Sequence, residues 1–130
     1  VTVMITNIFN LDQVWDWFYT NHRKRASISM TNVVVSPAYL NIAHMPQELK
    51  KLALEKISHL PNMEMWPITN SRVDTFEYQT GIDDIRAGLR RDGDETAPKY
   101  WDQFLRYTKD LDRIRDTDTF KSIPEMEKYK

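Results

Sequence analysis

The side chains suited to chemistry fall at a few places along the chain. Thr6, Asn7 and Asn10 follow one apolar stretch, and Ser36, Pro37 and Tyr39 follow another. If both stretches are parallel strands, these residues share the carboxyl edge, where open α/β sheets and barrels hold their ligands. Thr6, Asn7, Asn10, Ser36 and Tyr39 would then offer hydroxyl, amide and phenol groups to a polar ligand in a strand-end cleft. Asn, Ser and Pro are also what turns and caps require, which is the plainer account of them. Asp112 and Arg115, three apart on one helical pattern with Tyr107, form a second candidate. They line a pocket, or they dock the helix through an ion pair and a hydrogen bond, and docking is the commoner outcome.

Other chemistries find less support. His22, His44 and His59 sit in different segments without the two-histidine spacing of a metal site on a helix. Asp83-Asp84 and Asp92-Gly93-Asp94 resemble calcium loops, but neither continues into the pattern that ends in glutamate. No nucleophile elbow surrounds any serine, so a hydrolase or transferase built on Asp, His or Tyr is the reading with least support. The chain has no cysteine, which removes disulfides, thiolate zinc sites and cysteine-ligated iron–sulfur clusters. With only three glycines, it also has no phosphate-cradling glycine loop.

The elements that must position these residues follow from periodicity. Val1 to Thr6 reads as a strand. Asn10 with Gln13 matches a capping box, opening a helix whose inner face is Leu11, Val14, Trp15, Phe18 and His22. His22-Arg23-Lys24-Arg25 supplies cations to its carbonyl end. Val33, Val34 and Val35 form a β-branched run that reads as a strand buried on both faces, stopped by Ser36-Pro37. Met45-Pro46 opens a second helix with Leu49, Leu52, Ala53, Ile57 and Leu60 inward. Two strand-then-helix units in succession predict parallel strands joined by a crossover, hence an α/β fold with a βαβα unit over residues 1–60.

The remainder reads as loop and helix over 61–95, then a C-terminal helix and tail over 96–130. Met63, Met65 and Trp66 form an apolar loop. A helix from Ser71 to Arg91 turns Val73, Phe76, Ile82, Ile85 and Leu89 inward, with a break expected at Gly81. The last long helix faces Trp101, Phe104, Leu105, Thr108, Leu111 and Ile114 inward. Arg106, Asp110, Arg113 and Asp116 form its solvated face. Phe120 to Met126 adds one more anchor before Glu127 to Lys130 frays.

At 130 residues the chain is the size of one domain. Its 18 basic and 19 acidic residues nearly cancel, which argues against a nucleic-acid partner or an anionic membrane surface. No run approaches the roughly 20 apolar residues that span a bilayer, and no signal peptide opens the chain. A soluble, cytoplasmic protein is therefore expected. Val1 in place of Met is compatible with a processed methionine, a removed tag or a beginning further upstream.

Several stretches occur in a familiar order. They are Val3 to Asn10, Asn32 to Ile42, Met45 to Lys50, Phe104 to Arg115 and Phe120 to Met126. The most specific parts are Pro37-Ala38-Tyr39-Leu40, Pro46 to Lys50, and the set Phe104, Tyr107, Thr108, Leu111, Asp112, Arg115, Phe120 and Pro124. Together they resemble the carboxyl-terminal portion of twitch-type radical S-adenosylmethionine (SAM) proteins, with 62–95 matching least. The resemblance implies a partial (β/α) barrel fragment followed by two or three C-terminal helices. It also implies that the cysteine motif holding a 4Fe–4S cluster, and with it SAM, belongs to an upstream region. This chain alone then carries no cofactor and no catalytic residue, and serves as a scaffold for the partial barrel. The rival reading is a small independent ligand-binding or accessory domain with its site at the strand-end cleft. Two strands cannot cover their own edges, so self-association as a homodimer, or a missing N-terminal portion, is also expected.

Overall fold

A computed structural model describes residues 2–22, 32–58, 60, 82–91 and 95–130. Its first strand is β1 (Thr2–Val3), which runs into a 3-10 turn at Ile8–Asn10 and helix α1 (Leu11–His22). Strand β2 (Asn32–Val33) leads into 3-10 turns at Ala38–Leu40 and Ile42–His44 and helix α2 (Gln47–Ile57). Helix α3 covers residues 82–90. It is followed by α4 (Ala97–Arg115), α5 (Thr119–Ser122) and a C-terminal 3-10 segment, Pro124–Tyr129.

This architecture overturns the α/β expectation. β1 and β2 do run parallel, but the pairing is only Thr2 opposite Asn32 and Val3 opposite Val33. That is a bridge between helices, far short of the strand lengths and numbers that make a sheet. Neither a βαβα unit nor a partial barrel exists among the described residues, and most of the core comes from helices and 3-10 turns.

The ladder stops early because the next β1 donor on the side of β2, the Ile5 N–H, goes to the Leu40 carbonyl at 3.2 Å, while Asn7 ties the opposite side of the strand. The Asn7 amide oxygen accepts the Met4 N–H at 2.9 Å, and its amide nitrogen donates to the Thr2 carbonyl at 2.7 Å. After Met4 the chain therefore curls instead of extending. On the other strand, Val34 donates to Val3 O at 2.9 Å, but the Ser36–Pro37 peptide is cis and a 3-10 turn begins at Ala38. Val35 is 67% exposed, so the valine run is not buried on both faces.

The helical faces are largely those the spacing predicts. Leu11, Trp15 and Phe18 of α1 are buried, as are Leu49, Ala53 and Ile57 of α2, with Leu60 beyond it. Ile82, Ile85 and Leu89 of α3 and Trp101, Phe104 and Thr108 of α4 are buried with them, and Val3, Ile5, Ile8, Phe9, Ile42 and Met45 join this core from β1 and the turns. Val73, Phe76, the apolar loop at 63–66 and the break at Gly81 lie outside the described residues. Three positions depart from expectation. Ile114 is 75% exposed, Leu52 is largely exposed, and Lys50 is buried to 2%.

Lys50 is accommodated because its ammonium donates to the Arg91 carbonyl at 2.7 Å, just past the last turn of α3, where a cation complements the helix dipole. Two expected helix starts also differ in detail. The Gln13 N–H donates to Asp12 Oδ1 at 2.9 Å, while Asn10 closes the preceding 3-10 turn, so no capping box forms. Pro46 stands one residue before α2.

The C-terminal segment is docked rather than frayed. Phe120, Ile123 and Met126 are buried. Tyr129 packs edge-on against Trp101 at 5.2 Å and donates its hydroxyl to Glu48, which also pairs with Lys128. Lys128 and Tyr129 hold the Glu48 carboxyl below its usual range, while burial and the Glu48 charge push the Tyr129 hydroxyl up to about 12. Lys56 pairs with Glu125 at 2.6 Å and donates to the Phe9 carbonyl at 3.1 Å, so one ammonium joins three distant parts of the chain.

Urea unfolding separates the two sides of α4. Phe104→Ala should cost about 3–5 kcal/mol through loss of burial and the cavity left behind. Ile114→Ala should stay within about 0.5 kcal/mol of the parent.

Candidate functional site

The described residue from the expected strand edge that reaches a cleft is Thr6, and α4 supplies the opposite wall. The turn after β1, held by Asn7, presents Met4 and Thr6, and the 3-10 turn Ala38–Leu40 presents Leu40. Across from them, Tyr107, Thr108, Leu111 and Arg115 come from one side of α4, as their three-and-four spacing requires. The enclosed space is about 310 Å³. Its far end is closed by Thr117 and Thr119 from the reversal between α4 and α5.

Asp112 builds that reversal. Its Oδ2 accepts the Thr119 N–H at 2.9 Å, and its Oδ1 accepts the Thr119 and Thr117 hydroxyls at 2.7 and 2.8 Å. The helix itself ends at Asp116, whose φ of 53° is left-handed, and the Thr117 N–H returns to the Asp112 carbonyl at 3.0 Å. Aspartate tolerates that conformation better than most residues with a Cβ. Burial and the nearby Asp118 charge raise the Asp112 pKa, but the bonds from Thr119 and Thr117 outweigh them and hold the carboxyl below its usual value. Asp112 therefore docks the turn. Its expected partner Arg115 lies outside ion-pair range of it, and Arg115 has no carboxylate within that range among the described residues.

The other expected ligand residues do different work. Asn7 locks the backbone of its own turn. Asn10 donates its N–H to the Asn7 carbonyl at 3.0 Å and does not line the cleft. Ser36 is exposed and also stands apart from it. Tyr39 backs the wall, its ring 5.0 Å from that of Tyr107. Leu40, Thr108, Thr117 and Thr119 were not expected at a site. Thr108 did carry a signal, since it is a hydroxyl in an otherwise apolar inner stripe.

His44 braces the same region, with Nδ1 2.7 Å from the Ala38 carbonyl and its ring 4.7 Å from Tyr100. No group of His, Asp and Glu among the described residues is placed to hold a metal ion. Asp83 pairs weakly with Arg86 at 3.8 Å. The side chain of His22, His59 and the stretch 92–94 lie outside the described residues. Among the described residues no helix is long and apolar enough to cross a membrane. Compared with protein-family models, curated proteins and solved structures, the chain gives no match.

The Asp112 clamp predicts an acid-sensitive stability. A folded-state pKa below the unfolded value of about 4 means that its contribution is complete above that pH. The contribution disappears as pH falls through the lowered folded value. Asp112→Asn should cost about 1–3 kcal/mol at neutral pH. Thermal unfolding across an acid series should show a shallower acid limb for the variant, with what remains supplied by Glu48 and by Asp118, which Lys130 and the Lys121 N–H hold below its usual range.

Proposed function

We propose that this chain is a non-catalytic C-terminal module of a radical-SAM-like protein, a helical unit that packs against the rest of its assembly and presents a small cleft. The observation that carries this reading is a convergence in space. Two of the three most specific parts of the resemblance, Pro37 to Leu40 and the set that begins with Phe104, are more than sixty residues apart, yet Tyr39 meets Tyr107 and Leu40 shares a cleft with Tyr107, Leu111 and Arg115. Asp112 shapes that cleft, and Pro124 begins the segment that docks on α2.

With no cysteine in its sequence, the chain cannot itself ligate an iron–sulfur cluster through thiolates. The reading assigns SAM and the cluster to an upstream region, and places the assembly in the cytoplasm without a nucleic-acid partner. Val35 and Ile114 are large apolar side chains left exposed, which suits cover by another part of the assembly or by a second copy in a homodimer.

The in-frame DNA preceding the Val1 codon tests the module reading. An extension encoding a three-cysteine cluster motif is the expected result, whereas a ribosome-binding site and start codon there would overturn it. Sedimentation at micromolar concentration tests the homodimer, since a clean monomer removes it.

A second reading is favoured by the cleft itself, in which Thr6 and Arg115 make no side-chain hydrogen bond or ion pair among the described residues. It takes the chain as a ligand-binding accessory domain that uses this cleft.

A further inference from the structure

We infer that the cleft between the Thr6 turn and α4 takes a small organic oxyanion, a carboxylate or phosphate monoester on a compact apolar body. Arg115 would hold its charged end and the Thr108 hydroxyl would hydrogen-bond it at the cleft floor. The inference rests on the reading of this cleft as a binding site and adds the class of ligand.

The first observation is Thr108. It is only 4% exposed, it lines the cleft, and its hydroxyl has no hydrogen-bond partner among the described residues. A helical threonine ordinarily satisfies its hydroxyl on the carbonyl of the preceding turn. Thr108 makes no such bond to Phe104. A buried orphan hydroxyl is destabilising, and valine would fill the same space without that cost. Such a group is accounted for when a ligand supplies its partner.

The second observation is Arg115, which reaches the cleft with its guanidinium unpaired among the described residues. Asp112, three residues earlier, would be its ordinary partner, but that carboxylate is committed to the Thr117 and Thr119 donors. Arg113 next along the helix is paired, with Asp110 at 3.1 Å. An open planar fork beside a cleft suits two parallel hydrogen bonds to a carboxylate or phosphate.

The remaining surface sets the body of the ligand. Leu40 and Leu111 are apolar walls, and the Tyr107 ring is steadied by Tyr39. The Asp112 carboxylate also lines the cleft, its oxygens turned to the Thr117 and Thr119 donors, so the Arg115 fork must hold the oxyanion against that charge. A space of about 310 Å³ admits one ring and one oxyanion, at the small end of ligand sites.

Titration of the full chain with benzoate, phenyl phosphate and neutral benzyl alcohol, followed by calorimetry or NMR shifts, tests this. At least one of the two anions should bind roughly tenfold or more tightly than benzyl alcohol, and which one binds decides between carboxylate and phosphate. Arg115→Gln should abolish that preference. Arg115→Lys, which keeps a cation at the helix end but loses the fork, should weaken the anion severalfold. Thr108→Val should also weaken it severalfold while raising the melting temperature of the free protein by about 2–5 °C. Equal binding of anions and benzyl alcohol would overturn the oxyanion assignment while leaving a ligand cleft in place. Failure of all three probes to bind would overturn both. A lowered melting temperature for Thr108→Val would show that the hydroxyl serves the fold and would overturn its role here.

Discussion

The carboxylate of Asp112 is the point on which both the cleft and the closure of the molecule depend. It ends a nineteen-residue helix by gathering three donors from the next few residues, and so reverses the chain. The reversal places Thr117 and Thr119 at the end of the cleft and aims Phe120, Ile123 and Met126 back into the interior. It also consumes the group that would otherwise neutralise Arg115. Structure and a cation left unpaired among the described residues thus meet at one carboxylate, whose oxygens are turned to the Thr117 and Thr119 donors and lie outside ion-pair range of Arg115.

Two buried or half-buried lysines on α2 do the complementary work of joining elements distant in sequence. Lys50 caps the carbonyl end of α3, and Lys56 bridges Phe9 and Glu125. In each case a long aliphatic stem packs inside while the ammonium finds an oxygen. The apolar face of α2 would have been satisfied by many arrangements of neighbouring helices. Charged groups with few acceptable partners narrow those arrangements, and the C-terminal segment is held where Tyr129 can meet both Glu48 and Trp101.

The misread fold class has a specific cause. Alternation over Val1 to Thr6 and the triple valine both favour extended backbone, and the extended pieces do pair in parallel. A strand continues only while its amides are available to its neighbour. The Ile5 amide, the next one facing β2, goes instead to the Leu40 carbonyl, Asn7 ties Met4 and Thr2 on the opposite side of the strand, and the 3-10 turn at Ala38 ends the other strand's continuation. The candidate site suffered in the same way. Of the residues expected at the strand edge, Asn7 became a backbone lock, Asn10 a turn residue and Ser36 an exposed bystander. Thr6 kept a place in the cleft, and Tyr39 stands just behind it.

The features legible along the chain are local and periodic. The buried faces of α2, α3 and α4 follow from apolar residues three and four apart, and the want of thiolate chemistry follows from composition. Packing in three dimensions sets the rest: Lys50 goes in and Ile114 stays out, Asp112 belongs to two threonines rather than to Arg115, and Thr6 faces α4 across a cleft. Periodicity is a property of one element and can be read from that element. The choice of partner for a carboxylate, an ammonium or an amide is a competition among groups that folding brings together, and no short stretch contains all the competitors.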